Sequence, residues 1–185
     1  MFNKPAKANL GKSYESCLTY LDCALKDHRE LVAKGEPLLT VTAERYACGL
    51  PIPLFQRDLA WTRQQQIRFI ERAWKGIPLG TFTLHQMDWK SGDGSAVPFS
   101  GWIIDGQQRL TAIDAYWNDA FPVCGALWSE LSKRDRREFL SIKFAHYEVV
   151  MSSIEEIKEL YLVLAFGGTA HPEADRLRVS VADTD

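Results

Sequence analysis

Apolar side chains recur every three or four residues at Tyr14, Cys17 or Leu18, Leu21, Leu25 and Leu31. That spacing lays one stripe along an α-helix, with Ser13 as a candidate N-cap and Gly35 as a stop. From residue 37 the period changes: "PLLTVTAERYACGL" is rich in β-branched residues and reads as a strand. "LPIPLFQR" follows, where Pro51 and Pro53 exclude helix, so Gln56 and Arg57 arrive on extended chain. Helical spacing returns in "TRQQQIRFIERAWKG", with Thr62 as N-cap, Ile67, Ile70 or Glu71 and Trp74 on successive turns, and Gly76 as terminator. "IPLGTFTLHQMDW" reads as a strand, "KSGDGSAVPFSG" as a turn-rich hairpin connection and "WIIDG" as the returning strand. "QQRLTAIDAYWNDA" opens a third helix with Leu110, Ile113 and Trp117 on one face. "SELSKRDRREFL" predicts a short polar helix and "SIKFAHYEVVM" an alternating strand. In "SIEEIKELYLVLAF" a helix is capped by Ser152 or Ser153, with Glu155 or Glu156 in its first turn. Strands and helices alternate without a clean βαβ repeat, which predicts an α+β fold with a mixed sheet.

Composition narrows the class without naming a partner. At 185 residues and 46% hydrophobic, the chain can bury one core without metal or disulfide staples. A formal net charge of -2 gives no global attraction to nucleic acid, so contact with DNA has to come from a local patch. Cys17, Cys23, Cys48 and Cys124 form no C-x-x-C pair and no finger spacing with the four histidines, and are expected to be small buried thiols in a reducing cytosol. The N-terminus lacks the apolar core of a signal peptide and no run of about 18 apolar residues occurs. The expectation is a cytoplasmic protein without membrane contact.

Candidate chemistry gathers in "IIDGQQRL", residues 103 to 110. Where a buried strand meets a helix start, Asp105 falls at or beside the N-cap and Gly106 permits the tight turn. A capped helix accounts for those two but leaves Gln107, Gln108 and Arg109 unexplained. A helix N-terminus presents unpaired N–H groups, and an arginine in the same turn can grip phosphate through two nitrogens. Asp105 could take a magnesium ion or orient a water or hydroxyl nucleophile. Arg109 is expected to face solvent in the empty protein. Other features have bland readings: Arg57 as a surface partner of Asp58 or Glu71, Trp61 as core or staple rather than a base-stacking platform, and His85 and His146 as ordinary packed histidines. "SKRDRRE" reads first as a solvated helix face. Its Lys133, Arg134, Arg136 and Arg137 are also the densest basic cluster and the candidate contact for a DNA backbone.

"IIDGQQRLTAI" resembles the D-G-Q-Q-R signature of the GmrSD-type restriction-system N-terminal domain, a branch of the ParB/sulfiredoxin-like superfamily. "IPLFQRDLAWTRQQQIRFIERAWKGIPLGTFTL" is similar to that family's opening block, and "ELYLVLAFGGTAHPEADRLR" to its later block. The resemblance covers about residues 38 to 178. It implies a ParB/sulfiredoxin-like α+β fold, a small mixed sheet flanked by helices, over residues 37–185 after a helical lead at 1–36. It also implies a nucleotide pocket for ATP or GTP with Mg2+, built from Gln56, Arg57, Gly106, Gln107, Gln108, Arg109 and Thr111 and closed by Gly167, Gly168, Thr169 and His171. Catalytic roles fall to Asp105, Gln108, Arg109 and Arg57, with Asp105 as the metal ligand. Ala165, Phe166 and Ala170 depart from the polar pattern of the later block, and no H-N-H-type nuclease region follows it. The implied function is NTP-dependent phosphoryl transfer, as an NTPase or a kinase of DNA or nucleosides, in modification or restriction carried by a phage or mobile element. Alternatives are an NTP-dependent nickase or nuclease subunit served by a partner nuclease or modification enzyme, and a non-catalytic nucleotide-switched binding module.

Overall fold

A computed structural model describes residues 8–36, 43–90, 92 and 95–166. Its central sheet has four strands in the order β1 (Lys12–Tyr14), β6 (Ala145–Val149), β4 (Thr81–His85) and β5 (Ile103–Asp105). β4 and β6 run parallel, while β1 with β6 and β4 with β5 are antiparallel, so the sheet is mixed. Around it lie α1 (Leu18–Lys34), α2 (Arg63–Trp74), α3 (Gln107–Trp117), α4 (Lys133–Leu140) and α5 (Ile154–Phe166), with a short hairpin of β2 (Arg45–Ala47) and β3 (Leu50–Ile52). The architecture is α+β.

Period-two geometry explains why β5 is apolar at consecutive positions. Successive side chains point to opposite faces, and this sheet is covered on both. Ile103 joins the larger core with Phe82, Leu84, Leu110 and Ile113; Ile104 joins a second cluster with Phe55, Val149, Ile157, Leu160 and Tyr161. α5 therefore packs on the face opposite α1, α2 and α3, and the end of β5 sits between two packed layers.

Local signals set most boundaries. Thr62 and Gln65 form a reciprocal capping box at the start of α2, with Gln65 N–H to Thr62 Oγ1 at 3.3 Å and Thr62 N–H to Gln65 Oε1 at 2.7 Å. Gly76, at φ 69°, ends that helix. Ser153, not Ser152, caps α5 by accepting the Glu156 N–H at 3.2 Å. Gly35 takes φ 67°, and the Glu36 N–H reaches back to the Leu31 carbonyl at 3.0 Å.

Three expectations are corrected. Ser13 does not cap α1: it pairs with Tyr147 in β1, the helix starts at Leu18, and the sheet has claimed the backbone that a cap would need. The strand expected over 37–50 is a hairpin at its described end, because Cys48 and Gly49 take φ 52° and 77° and reverse the chain. Only Cys48 of the four free thiols is buried; Cys23 and Cys124 are exposed. The expected lead at 1–36 supplies an edge strand and Leu18, Leu21 and Leu25 to the main core, each fully buried leucine contributing roughly 1.5–3 kcal/mol of transfer free energy. No helix among the described residues is long and apolar enough to cross a membrane.

Candidate functional site

The turn from β5 to α3 is built around a glycine. Gly106 is the N-cap of α3 at φ 100°, and a β-carbon on it would meet Phe82 Cβ at 2.7 Å. The close approach of β4 and the positive φ both require glycine here. Gly106 offers no side chain to cap the first-turn N–H groups of α3. Asp105 does not cap them either. It ends β5 opposite Thr83, and its carboxylate turns toward Arg109, one turn along, where Oδ2 accepts from Nη2 at 2.6 Å.

Arg109 is consequently not a solvent-facing side chain, contrary to expectation; 23% of it is exposed, against 35% for Asp105. Its guanidinium is committed on one side to a carboxylate and lies on the other against Gly80.

The three glutamines of the region also hold the pocket wall together. Gln56 is 1% exposed and donates through Nε2 to the carbonyls of Ile103 and, at 3.2 Å, Ile104. Gln107 Nε2 donates to the Arg57 carbonyl at 3.0 Å. Gln108 accepts the Trp61 N–H at 3.1 Å and donates to the Asp58 carbonyl at 3.4 Å. These amides stitch the extended segment 56–61 to β5 and the head of α3. That segment forms no helix or strand, so its backbone groups need side-chain partners. Their NH2 groups point at backbone carbonyls, while Gln56 Oε1 and Gln107 Oε1 are buried without a partner among the described residues.

Between that segment, the α3 turn and α5 lies a pocket of about 190 Å³. Its wall holds Gln56, Arg57, Asp105, Gly106, Gln107, Gln108 and Arg109, so the structure brings together residues that sequence spacing separates into two groups. Trp61, Tyr161, Leu164 and Ala165 also line it and were not among the expected ligands. Trp61 serves the core as well, packing on Phe69 at 5.4 Å between ring centroids. Tyr161 is 4% exposed; its Oη accepts the Arg57 N–H at 3.4 Å, so the backbone of Arg57 is held on both sides. The spacing Tyr161, Leu164, Ala165 is a helix face, which reads in sequence as core and carries no ligand signal.

Other expected residues fall elsewhere. Thr111 is not on this wall, and its hydroxyl is buried without a partner among the described residues. Gly167, Gly168, Thr169 and His171 lie outside the described residues. Lys133, Arg134, Arg136 and Arg137 sit on α4 and none lines the pocket; Arg136 is laid over Trp128 at 5.8 Å and bonds the Ser129 carbonyl. His85 and His146 are 3% and 2% exposed, packed as expected. Among the described residues no cluster of three or more His, Cys, Asp or Glu could hold a metal by protein ligands alone. A single carboxylate, Asp105, still fits magnesium, which keeps several waters and takes one or two carboxylates together with substrate phosphates.

Residues 40–166 match the family described as the GmrSD restriction endonuclease, N-terminal domain. The chain belongs to that family. Every residue of the pocket wall lies within the matched span. Family membership sets it in DNA restriction. No curated protein and no solved structure matches the chain.

Proposed function

We propose that this GmrSD N-terminal domain binds the polyphosphate of a nucleoside triphosphate at the head of α3 and transfers or hydrolyses its terminal phosphoryl group in the service of DNA restriction or modification. The observation that carries the reading is the meeting of an uncapped helix N-terminus with Arg57 and Arg109 in one pocket. Unpaired amide hydrogens and guanidinium groups are complementary to phosphate, and the helix amides hold their direction without being reorganised by the ligand. At about 190 Å³ the described walls enclose a phosphate chain rather than a whole nucleotide, since pockets that enclose a small molecule run to roughly 300–1,000 Å³.

In this reading Arg57 and Arg109 neutralise the charge that builds on the transferred group, and the backbone of Arg57, held by Gln107 and Tyr161, sets where its side chain starts. Asp105 holds the magnesium ion or orients the attacking oxygen. When bound, magnesium draws charge from the phosphate oxygens. Trp61, Leu164 and Ala165 give the pocket apolar sides that limit water around the reacting centre. The family description supports a component of a restriction system, and one alternative builds on that: the nucleotide powers DNA nicking, with cutting groups supplied by a partner.

A nucleotide panel with magnesium, read by thermal shift, tests binding, because a ligand held only by the folded state raises the melting temperature. ATP or GTP should raise it in the wild type and not in Arg109→Ala. Product analysis with ATP and DNA then separates the readings. Free phosphate marks an NTPase, phosphate on an acceptor a kinase, and nicked plasmid the restriction subunit. Saturable binding with no turnover under any of these conditions would replace the enzyme with a nucleotide-switched binding module.

A further inference from the structure

The described wall of the pocket carries three charged side chains, and their arrangement is unequal. Arg57 and Arg109 are the cations; Asp105 is the one carboxylate. Asp105 and Arg109 are already joined, Oδ2 to Nη2 at 2.6 Å, and both are partly shielded from water. The glutamines do not make up the difference, because they carry no charge: Gln56 gives its Nε2 hydrogens to the carbonyls of Ile103 and Ile104, and Gln107 and Gln108 each commit Nε2 to one carbonyl, of Arg57 and of Asp58. An anion entering here thus meets the helix amides, Arg57 and an arginine whose charge is half-cancelled by a carboxylate facing the same space. Two negative groups a few ångströms apart in a partly desolvated slot repel each other strongly.

We propose that Asp105 makes anion binding in this pocket conditional on a divalent cation: without one, the carboxylate holds Arg109 and repels the polyphosphate, and with one it turns to the cation and releases the guanidinium to the phosphate. The inference rests on the reading of the pocket as a polyphosphate site and adds the condition under which it fills. Asp105 acts here as a specificity-determining residue, one that rejects bare anions such as sulfate or metal-free triphosphate. Binding coupled in this way is reciprocal, so the anion equally raises the affinity for the cation.

The test compares wild type with Asp105→Asn, which keeps the size of the side chain and removes its charge, using inorganic triphosphate as the probe and calorimetry as the readout. It is run with excess magnesium and again with EDTA. The wild type should lose about tenfold or more in affinity on removal of magnesium, and Asp105→Asn should bind metal-free triphosphate at least about tenfold more tightly than the wild type does. Sulfate, which depends little on magnesium in solution, should follow the same order between the two proteins without metal. Asp105→Ser is run beside it, so that a folding defect in one variant does not decide the matter; circular dichroism and melting temperature report that both are folded. If folded variants bind the metal-free anions no better than wild type, the conditional role of Asp105 is wrong while the polyphosphate site stands. If neither triphosphate nor any nucleotide binds wild type with magnesium present, the site itself falls.

Discussion

The guanidinium of Arg109 rests against the α-carbon of Gly80, so closely that a methyl group there would come within 2.8 Å of Nη1. Gly80 ends the segment "GIPLG" at φ 79° and hands the chain to β4. Two demands therefore fall on one residue: a left-handed backbone and space for an arginine. Gly80→Ala should lower stability by about 1 kcal/mol or more through the backbone alone. Moving the arginine should also weaken nucleotide binding beyond what the stability loss explains. Urea unfolding gives the first quantity and thermal shift with ATP and magnesium the second; an alanine variant with unchanged ligand response would show that Arg109 has no part in binding.

Arg109→Ala is not a silent deletion. It strands the Asp105 carboxylate beside the α3 turn, so the variant should lose ligand response and also melt below wild type. Arg109→Lys keeps a cation for Asp105 but loses the planar fork, and should recover most of the melting temperature with little of the nucleotide response. Recovery of both would mean that charge alone, not two-pronged contact, does the binding.

Gln108 is 7% exposed and ties two backbone groups of the extended segment. Gln108→Leu leaves the Trp61 N–H and the Asp58 carbonyl without that partner, a cost of about 1–3 kcal/mol. Amide hydrogen exchange should quicken at residues 57–61 before it quickens in the sheet. Uniform protection across both would place the glutamine outside the clamp.

Away from the pocket, burial raises the carboxyl of Asp114 above its ordinary 3.8, against the opposing pull of Arg29 and of its hydrogen-bond partners. Just above 3.8 the folded state then holds more protons than the unfolded state. Stability contributed by this group falls as pH rises through the raised value. Asp114→Asn stays neutral, so its stability relative to wild type should climb with pH from about 4 and level off above the folded pKa. Urea midpoints measured from pH 4 to 7 check this; a constant difference would mean that Asp114 titrates alike in both states. His28 opposes the trend, because burial lowers its pKa below 6.5 and favours folding as pH rises toward that value.

Sequence reading reached the helices with strong caps, the β4–β5 pair and the class of fold, since each depends on neighbours in the chain. It missed Ser13 as strand because that choice is made by Tyr147, far along the sequence. The Cys48–Gly49 reversal escaped because cysteine is a rare occupant of a left-handed turn position. Gln107 and Gln108 stood out as surplus polarity, but their bonds to the opposite wall were not legible, because those partners are 47 to 50 positions away. The helical spacing of Tyr161, Leu164 and Ala165 gave no warning by itself, since an apolar helix face looks the same whether it covers a core or one side of a cavity; only the resemblance of the later block touched this stretch.

The wall around residues 56–61 is fastened mostly by neutral groups, with one cation, Arg45, on the Gln56 carbonyl, whereas the floor grips through ions. Dissolved salt screens the second kind of contact and leaves the first nearly untouched. Concentrated potassium chloride should accordingly strip an anion from the cavity while its shape persists, so that dilution refills it at once with no refolding step in between.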